Sequence, residues 1–183
     1  MEIVIGISGA SGAQYGIRLL ELLADMDIDT HLILTKAAEK IIEVETELTP
    51  EDIKDLATYV HEEKDFTAAI ASGSHPFEGM IIAPCSMKTL ASVANGTSDN
   101  LLGRTADVCL KERRKLVLMT RETPLSGIHI ENMLKAHNTG AILLPASPAY
   151  YNKPESIDDL INFMAGRALD LMKIKNDAYT RWE

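Results

Sequence analysis

Five apolar runs limit what this chain can fold into: Ile3-Val4-Ile5-Gly6-Ile7, Leu32-Ile33-Leu34, Met80-Ile81-Ile82-Ala83, Leu116-Val117-Leu118-Met119 and Ala141-Ile142-Leu143-Leu144. None alternates apolar with polar residues, so each reads as a strand covered on both faces, as in a parallel sheet. Between them the apolar spacing predicts helices over 12–26, 36–46, 86–112 with a break near Asn95-Gly96, 126–138 and 155–173. Strand followed by helix, repeated, implies right-handed crossovers and a doubly wound, mainly parallel α/β sheet of Rossmann-like type. With 183 residues, no internal repeat and no linker-like stretch, residues 1–183 are expected to form one domain.

Composition removes several function classes. Hydrophobic residues make up 46% and charged residues 25%, ordinary values for a globular protein. The first apolar run is too short for a signal-peptide core and lacks a basic start, and no run approaches a membrane span of about 18 residues, so a cytoplasmic protein with no membrane partner is expected. A net charge of -9 disfavours binding to nucleic acid, which needs a basic surface. Cys85 and Cys109 are the two cysteines; without a C-x-x-C pair or histidines at ligand spacing, neither a disulfide framework nor a zinc site is suggested, and metal-free chemistry is expected.

In a doubly wound sheet, ligands bind beyond the carboxyl ends of the strands. Small, hydroxylic and charged residues stand at those positions: Ser8-Gly9-Ala10-Ser11-Gly12, Thr35-Lys36, Pro84-Cys85-Ser86, Thr120-Arg121-Glu122-Thr123-Pro124 and Pro145 to Tyr151. The first segment turns a strand into a helix and leaves backbone amides at a positive helix end for an anion. It is not G-x-G-x-x-G, and Thr35 stands where a dinucleotide site has an acid, so a mononucleotide fits better. A glycine turn needed for geometry alone explains the same segment taken in isolation.

Six of the 18 Lys and Arg residues crowd between 104 and 121, a grouping suited to a phosphorylated substrate. Arg113, Arg114 and Lys115 close a helix, where cations are favoured by the helix dipole, and read as structural; Arg121, at a strand end, reads as functional. The five histidines look isolated and read as surface or capping residues. Cys85 has no neighbouring base or cation to activate it and reads as packing around a ligand, and Cys109 as a small core residue. The acidic stretch from Glu43 to Asp55 reads as a solvated face, with no carboxylate singled out.

Taken in order, Gly6 to Gly16, Ala71-Ser72-Gly73-Ser74, Pro84-Cys85-Ser86, Ala106-Asp107-Val108, Leu110 to Arg114, Arg121 to Leu125, Glu131 to Leu134 and Pro148 to Tyr151 resemble the UbiX family of flavin prenyltransferases over nearly the whole chain. The resemblance implies an FMN-binding, metal-independent homododecamer that takes dimethylallyl phosphate as prenyl donor and hands prenylated FMN to a UbiD-type decarboxylase. By position it implies that Gly9, Ala10, Ser11, Thr35, Ser86, Met87, Lys88, Thr89 and Arg121 hold the flavin. Ser72, Arg104, Lys111, Glu122, Tyr151 and Arg167 would surround the donor phosphate, and Glu45 would assist proton movement near the flavin. Ser11, Glu45, Lys111 and Glu122 are the expected catalytic residues. Thr35, Lys115 and Phe66 depart from residues common in relatives, and Phe66 bears on the shape of the prenyl pocket.

Fixed Lys and Arg donors suit this chemistry, because breaking an allyl-phosphate bond develops negative charge. Two alternatives stay open. An FMN-dependent cysteine-peptide decarboxylase shares the fold and the Pro-x-Ser loop, but Lys88 stands where Asn is expected. A noncatalytic FMN carrier explains the glycine turn but not Arg104, Lys111, Glu122 and Arg167.

Overall fold

The computed structural model describes residues 1–182. Along the chain the elements are β1 (Glu2–Ile7), α1 (Ala13–Asp25), β2 (Asp29–Leu34), α2 (Lys36–Glu45), α3 (Pro50–Lys54), β3 (Tyr59–His61), a 3-10 turn at Ala69–Ala71, β4 (Gly79–Cys85), α4 (Met87–Asn95), α5 (Leu101–Lys111), β5 (Lys115–Thr120), α6 (Gly127–Asn138), β6 (Ile142–Leu143) and α7 (Ile157–Met172). The strands form one parallel sheet in the order β3-β2-β1-β4-β5-β6. This is the doubly wound arrangement, and the winding reverses between β1 and β4.

Local chemistry sets the helix starts. Thr35, Thr49, Ser86, Asn100, Ser126 and Ser156 each accept a backbone amide of the first turn that would otherwise lack a partner. Gly96 adopts φ 65 and ends α4, so the long apolar pattern over 86–112 divides where the sequence predicted.

Side chains alternate between the two faces of the sheet. Ile3, Ile5, Ile7, Leu32, Leu34, Ile81 and Val117 pack with Leu19, Leu20 and Leu23 of α1, Ile42 of α2 and Leu169 of α7. Val4, Ile33, Met80, Ile82, Leu116 and Leu118 pack with Leu90 of α4, Leu102 and Cys109 of α5 and Ala136 of α6 on the other face. Each fully buried leucine contributes about 1.5–3 kcal/mol, so shortening Leu20 to alanine should cost about 2–5 kcal/mol. The uninterrupted apolar runs follow from this covering on both faces.

Three elements carried no sequence signal: α3, β3 and the 3-10 turn. β3 is an edge strand paired with β2 alone, and its Tyr59 and Val60 are exposed. Exposed side chains need no apolar run, so the pattern is absent from β3, whereas the other edge strand, β6, keeps it because Ile142 and Leu143 pack against the two cores.

Candidate active site

At the point where the winding reverses, Ser8 ties two strand ends together. Its Oγ donates to the Pro84 carbonyl at 2.9 Å and accepts the Ser86 amide at 2.8 Å, while its own amide also donates to Pro84. Ser8 is therefore a buried structural clasp, and the hydroxyl residues that line the cleft are Thr35, Ser86 and Thr89. Gly9 lets this turn approach α2: a Cβ added there would come 2.3 Å from Ala37 Cβ. Gly12 has φ 101, a left-handed conformation that glycine adopts without penalty.

Beyond the strand ends lies a cleft of ≈ 510 Å³ lined by Gly9, Thr35, Lys36, Ala37, Glu63, Ser86, Met87, Lys88, Thr89, Asn100 and Glu122 among others. Thr35 caps α2 by accepting the Ala38 amide at 3.1 Å. Ser86 caps α4 by accepting the Thr89 amide and donates its hydroxyl to Thr89 Oγ1. The amides of Met87 and Lys88 lie in the first turn of α4, where no intrahelical acceptor exists. Those amides, the three hydroxyls and the Lys88 ammonium form a donor set suited to a phosphate ester.

Arg121 follows β5 and is half-buried, its amide donating to the Cys85 carbonyl at 3.2 Å. Burial raises the pKa of the Tyr15 phenol above its ordinary value, and the nearby Arg121 charge opposes that rise. Glu122 lines both the main cleft and an adjoining hollow of ≈ 270 Å³ that contains Arg121, Met133 and Ser147.

The α1 end is occupied differently from the sequence expectation. The amides of Gly12 and Ala13 donate to Glu45 Oε2 at 2.8 and 3.2 Å, so the chain's own carboxylate already sits at that helix end. Nothing in the acidic stretch distinguished Glu45 locally, because the contact spans more than thirty residues. Glu63 was likewise unmarked. It accepts the Lys36 amide at 3.0 Å and the Asn100 Nδ2 group at 2.8 Å, beside the start of α2.

One chain therefore gathers Gly9, Thr35, Ser86, Met87, Lys88, Thr89 and Glu122 in the cleft and Arg121 in the adjoining hollow, while Ala10 and Ser11 lie in the turn between β1 and α1. It does not gather Ser72, Arg104, Lys111, Tyr151 and Arg167 there. Arg104 Nε donates to the Ala71 carbonyl at 3.1 Å, next to Ser72. Lys111 pairs with Glu112 at the end of α5, toward the amino-terminal rim where β5 begins. Tyr151 and Arg167 lie with α7 on the opposite face: Tyr151 stands edge-on to Phe163 and Trp182, and Arg167 bonds Asp170 and the Tyr179 hydroxyl. The sheet separates the Ser72, Arg104 and Lys111 group from the Tyr151 and Arg167 pair.

The other basic residues divide in space. Arg114 Nη2 donates to the Gly73 carbonyl at 2.7 Å and its guanidinium lies 4.2 Å over the Phe77 ring, while Lys115 donates to the Leu171 carbonyl. Arg113 is exposed with φ 59. Burial pushes the Cys85 and Cys109 thiols up to about 12, which leaves both uncharged near neutral pH.

The reading of the histidines as isolated is corrected by the fold. His31 Nδ1 lies 2.9 Å from His61 Nε2, and Glu2 Oε2 lies 2.9 Å from His31 Nε2 and 3.0 Å from His75 Nε2. Three strands and a loop bring these residues together, so no spacing in the sequence signals the cluster.

Known proteins agree with this architecture. The flavoprotein family model matches residues 1–169. Flavin prenyltransferase UbiX of Methanocaldococcus jannaschii is 50% identical over 182 residues, covering 100% of this chain and 98% of that protein. A crystal structure of AnUbiX (PadA1) in complex with FMN and dimethylallyl pyrophosphate is 48% identical, with TM-score 0.98 and coverage of 100% and 97%. A dodecameric FMN-dependent UbiX-like decarboxylase from Escherichia coli O157:H7 is 45% identical, with TM-score 0.98 and full coverage of both chains. This chain belongs to the flavoprotein family and, within it, to the UbiX-type flavin prenyltransferases.

Proposed function

We propose that the chain acts as one flavin-binding domain that joins a dimethylallyl group, supplied as dimethylallyl phosphate, to reduced FMN. The observation that carries this reading is the cleft at the reversal point, where the start of α4, three hydroxyls and Lys88 form a phosphate-binding donor set next to Arg121 and Glu122. Reduced FMN supplies the nucleophilic ring that takes the prenyl group.

Thr35, Ser86 and Thr89, with the amides of Met87 and Lys88, hold the flavin phosphate. Gly9, Ala10, Ser11 and Arg121 would complete the hold on the flavin, the glycine turn through its backbone and Arg121 through its charge. Glu45 keeps the turn before α1 in place, and by the family resemblance it would assist proton movement near the flavin. As the allyl-phosphate bond breaks, its electron pair leaves with the phosphate, and Arg104, Lys111 and Arg167 stabilise that charge while Ser72, Tyr151 and Glu122 orient the group. Removing one preorganised donor of this kind typically costs about 2.7–4 kcal/mol in the transition state.

Because the sheet separates two parts of the donor-phosphate set, a complete site requires residues from more than one copy of the chain. A homododecamer meets that requirement, and the Escherichia coli relative is described as dodecameric. No helix among the described residues is long and apolar enough to cross a membrane, and the reading places the enzyme in the cytoplasm, handing its product to a UbiD-type decarboxylase.

The test is to incubate purified protein anaerobically with reduced FMN and dimethylallyl monophosphate or diphosphate, then weigh the flavin by mass spectrometry. A flavin heavier by one dimethylallyl unit is expected. Unchanged flavin with both donors would sink the reading, and carbon dioxide release from a cysteine-ended peptide would establish the decarboxylase alternative.

A further inference from the structure

The fold builds a cluster on the sheet face away from α1, close to the amino-terminal ends of the strands and distinct from the flavin cleft. Glu2 opens β1, His31 lies on β2, and His75 lies in the loop that leads into β4. The imidazole Nε2 atoms of His31 and His75 both point at Glu2 Oε2, and the three donor atoms lie within 4.8 Å of one another. His31 is 5% exposed, whereas Glu2 and His75 are half-buried, which leaves a path for an ion from solvent.

We propose that Glu2, His31 and His75 form a binding site for a divalent transition-metal ion of the zinc class, clamping β1, β2 and the loop before β4. Two imidazoles and one carboxylate suit zinc, which takes nitrogen at about 2.0–2.1 Å and oxygen at about 2.0–2.2 Å, with water completing the sphere. Tetrahedral bonds of that length set donors about 3.3 Å apart, so the two distances from Glu2 Oε2, 2.9 and 3.0 Å, must lengthen by a few tenths of an ångström, and the two imidazole nitrogens, within 4.8 Å of each other, must settle at the same spacing. His61 supplies the supporting contact. With the metal on Nε2, His31 carries its proton on Nδ1 and donates it to His61 Nε2, the arrangement in which a ligating histidine is oriented by a second partner.

The rival account uses protons alone. With all rings neutral, His31 and His75 each donate from Nε2 to Glu2, and His61 donates to His31 Nδ1, which satisfies every one of these contacts. The two accounts place the His31 proton on opposite nitrogens. The proposal is also independent of the flavin reading, because its ligands lie outside the cleft and its readout is metal binding.

The full chain, freed of metal with a chelator, should be titrated with zinc chloride by calorimetry at pH 7 and with cobalt(II) by visible absorption. One zinc per chain and a four-coordinate cobalt spectrum are expected, both at least tenfold weaker in Glu2→Gln and in His75→Ala, whose partial exposure favours folding. His61→Phe should weaken binding roughly 10–100-fold. His129→Ala, outside the cluster, should leave binding unchanged. Nitrogen-15 shifts of the His31 ring should show the proton moving to Nδ1 when zinc is added. Absence of stoichiometric zinc binding, or equal binding in Glu2→Gln and His75→Ala, would overturn the site in favour of the proton-only cluster.

Discussion

The Glu45 carboxylate accepts the Gly12 amide at 2.8 Å and thereby closes the end of α1 that the glycine turn leaves open. A charge at that end stabilises the helix by about 0.3–1 kcal/mol, and loss of the cap altogether costs about 0.5–2 kcal/mol. Glu45→Gln keeps a side-chain oxygen that can accept from Gly12, so it should lower the melting temperature only slightly while reducing prenylation. Glu45→Ala should lower both. Full turnover in Glu45→Gln, measured beside its melting curve, would restrict Glu45 to the capping role.

The basic stretch should separate into three classes. Lys111→Met and Arg121→Met should lose roughly 100- to 1000-fold in turnover with little change in melting temperature. Arg114→Met should instead lose stability, because its bond to the Gly73 carbonyl is worth about 1.5–3 kcal/mol and its stacking on Phe77 adds to that. Arg113→Met should alter neither quantity. Prenylation rates and thermal melts of the four correctly assembled variants decide the matter, and equal activity in all four would overturn the phosphate-site assignment.

Gly9→Ala tests the close approach in the cleft. The added methyl meets Ala37 and must push the start of α2 outward, an overpacking that costs about 1–3 kcal/mol. FMN affinity should fall at least tenfold in fluorescence titration, because Thr35 moves with α2.

Acid should loosen the segment after α7. Burial favours the neutral form of Asp170, but hydrogen bonds from Arg181, Tyr179 and Asn176 outweigh it and bring the carboxyl down to about 2. A depressed carboxylate contributes its stability in full above the ordinary value near 4 and loses it as pH falls toward 2, at most about 2 kcal/mol in all. The single tryptophan, Trp182, stands edge-on to Tyr151 with ring centroids 5.0 Å apart and reports on this region. Its fluorescence should change between pH 4 and 2, and Asp170→Asn should show the acid-form signal already at pH 7.

The four buried strands, the half-buried β6 and the break at Gly96 were legible because parallel strands covered on both faces leave continuous apolar runs, and a helix stop leaves a glycine. The rim residues were legible for the same reason, since they follow those runs directly. Glu63 and the histidine cluster were not, and Glu45 was marked by the family resemblance alone, because each is defined by contacts between distant segments. Local pattern likewise failed to place Arg104 and Lys111. Their residue type suited a phosphate, but their side chains depend on which face of the sheet α5 covers.

That α5 and α7 cover opposite faces has a genetic consequence. If each reaction centre draws Lys111 from one subunit and Arg167 from another, a particle assembled only from Lys111→Met chains has no intact centre, and neither has one assembled only from Arg167→Met chains. Co-expressed, the two damaged genes should complement each other: random mixing leaves about a quarter of the centres with both residues native. Two dead alleles would then yield a working enzyme, whereas a centre confined to one polypeptide would stay silent in every mixture.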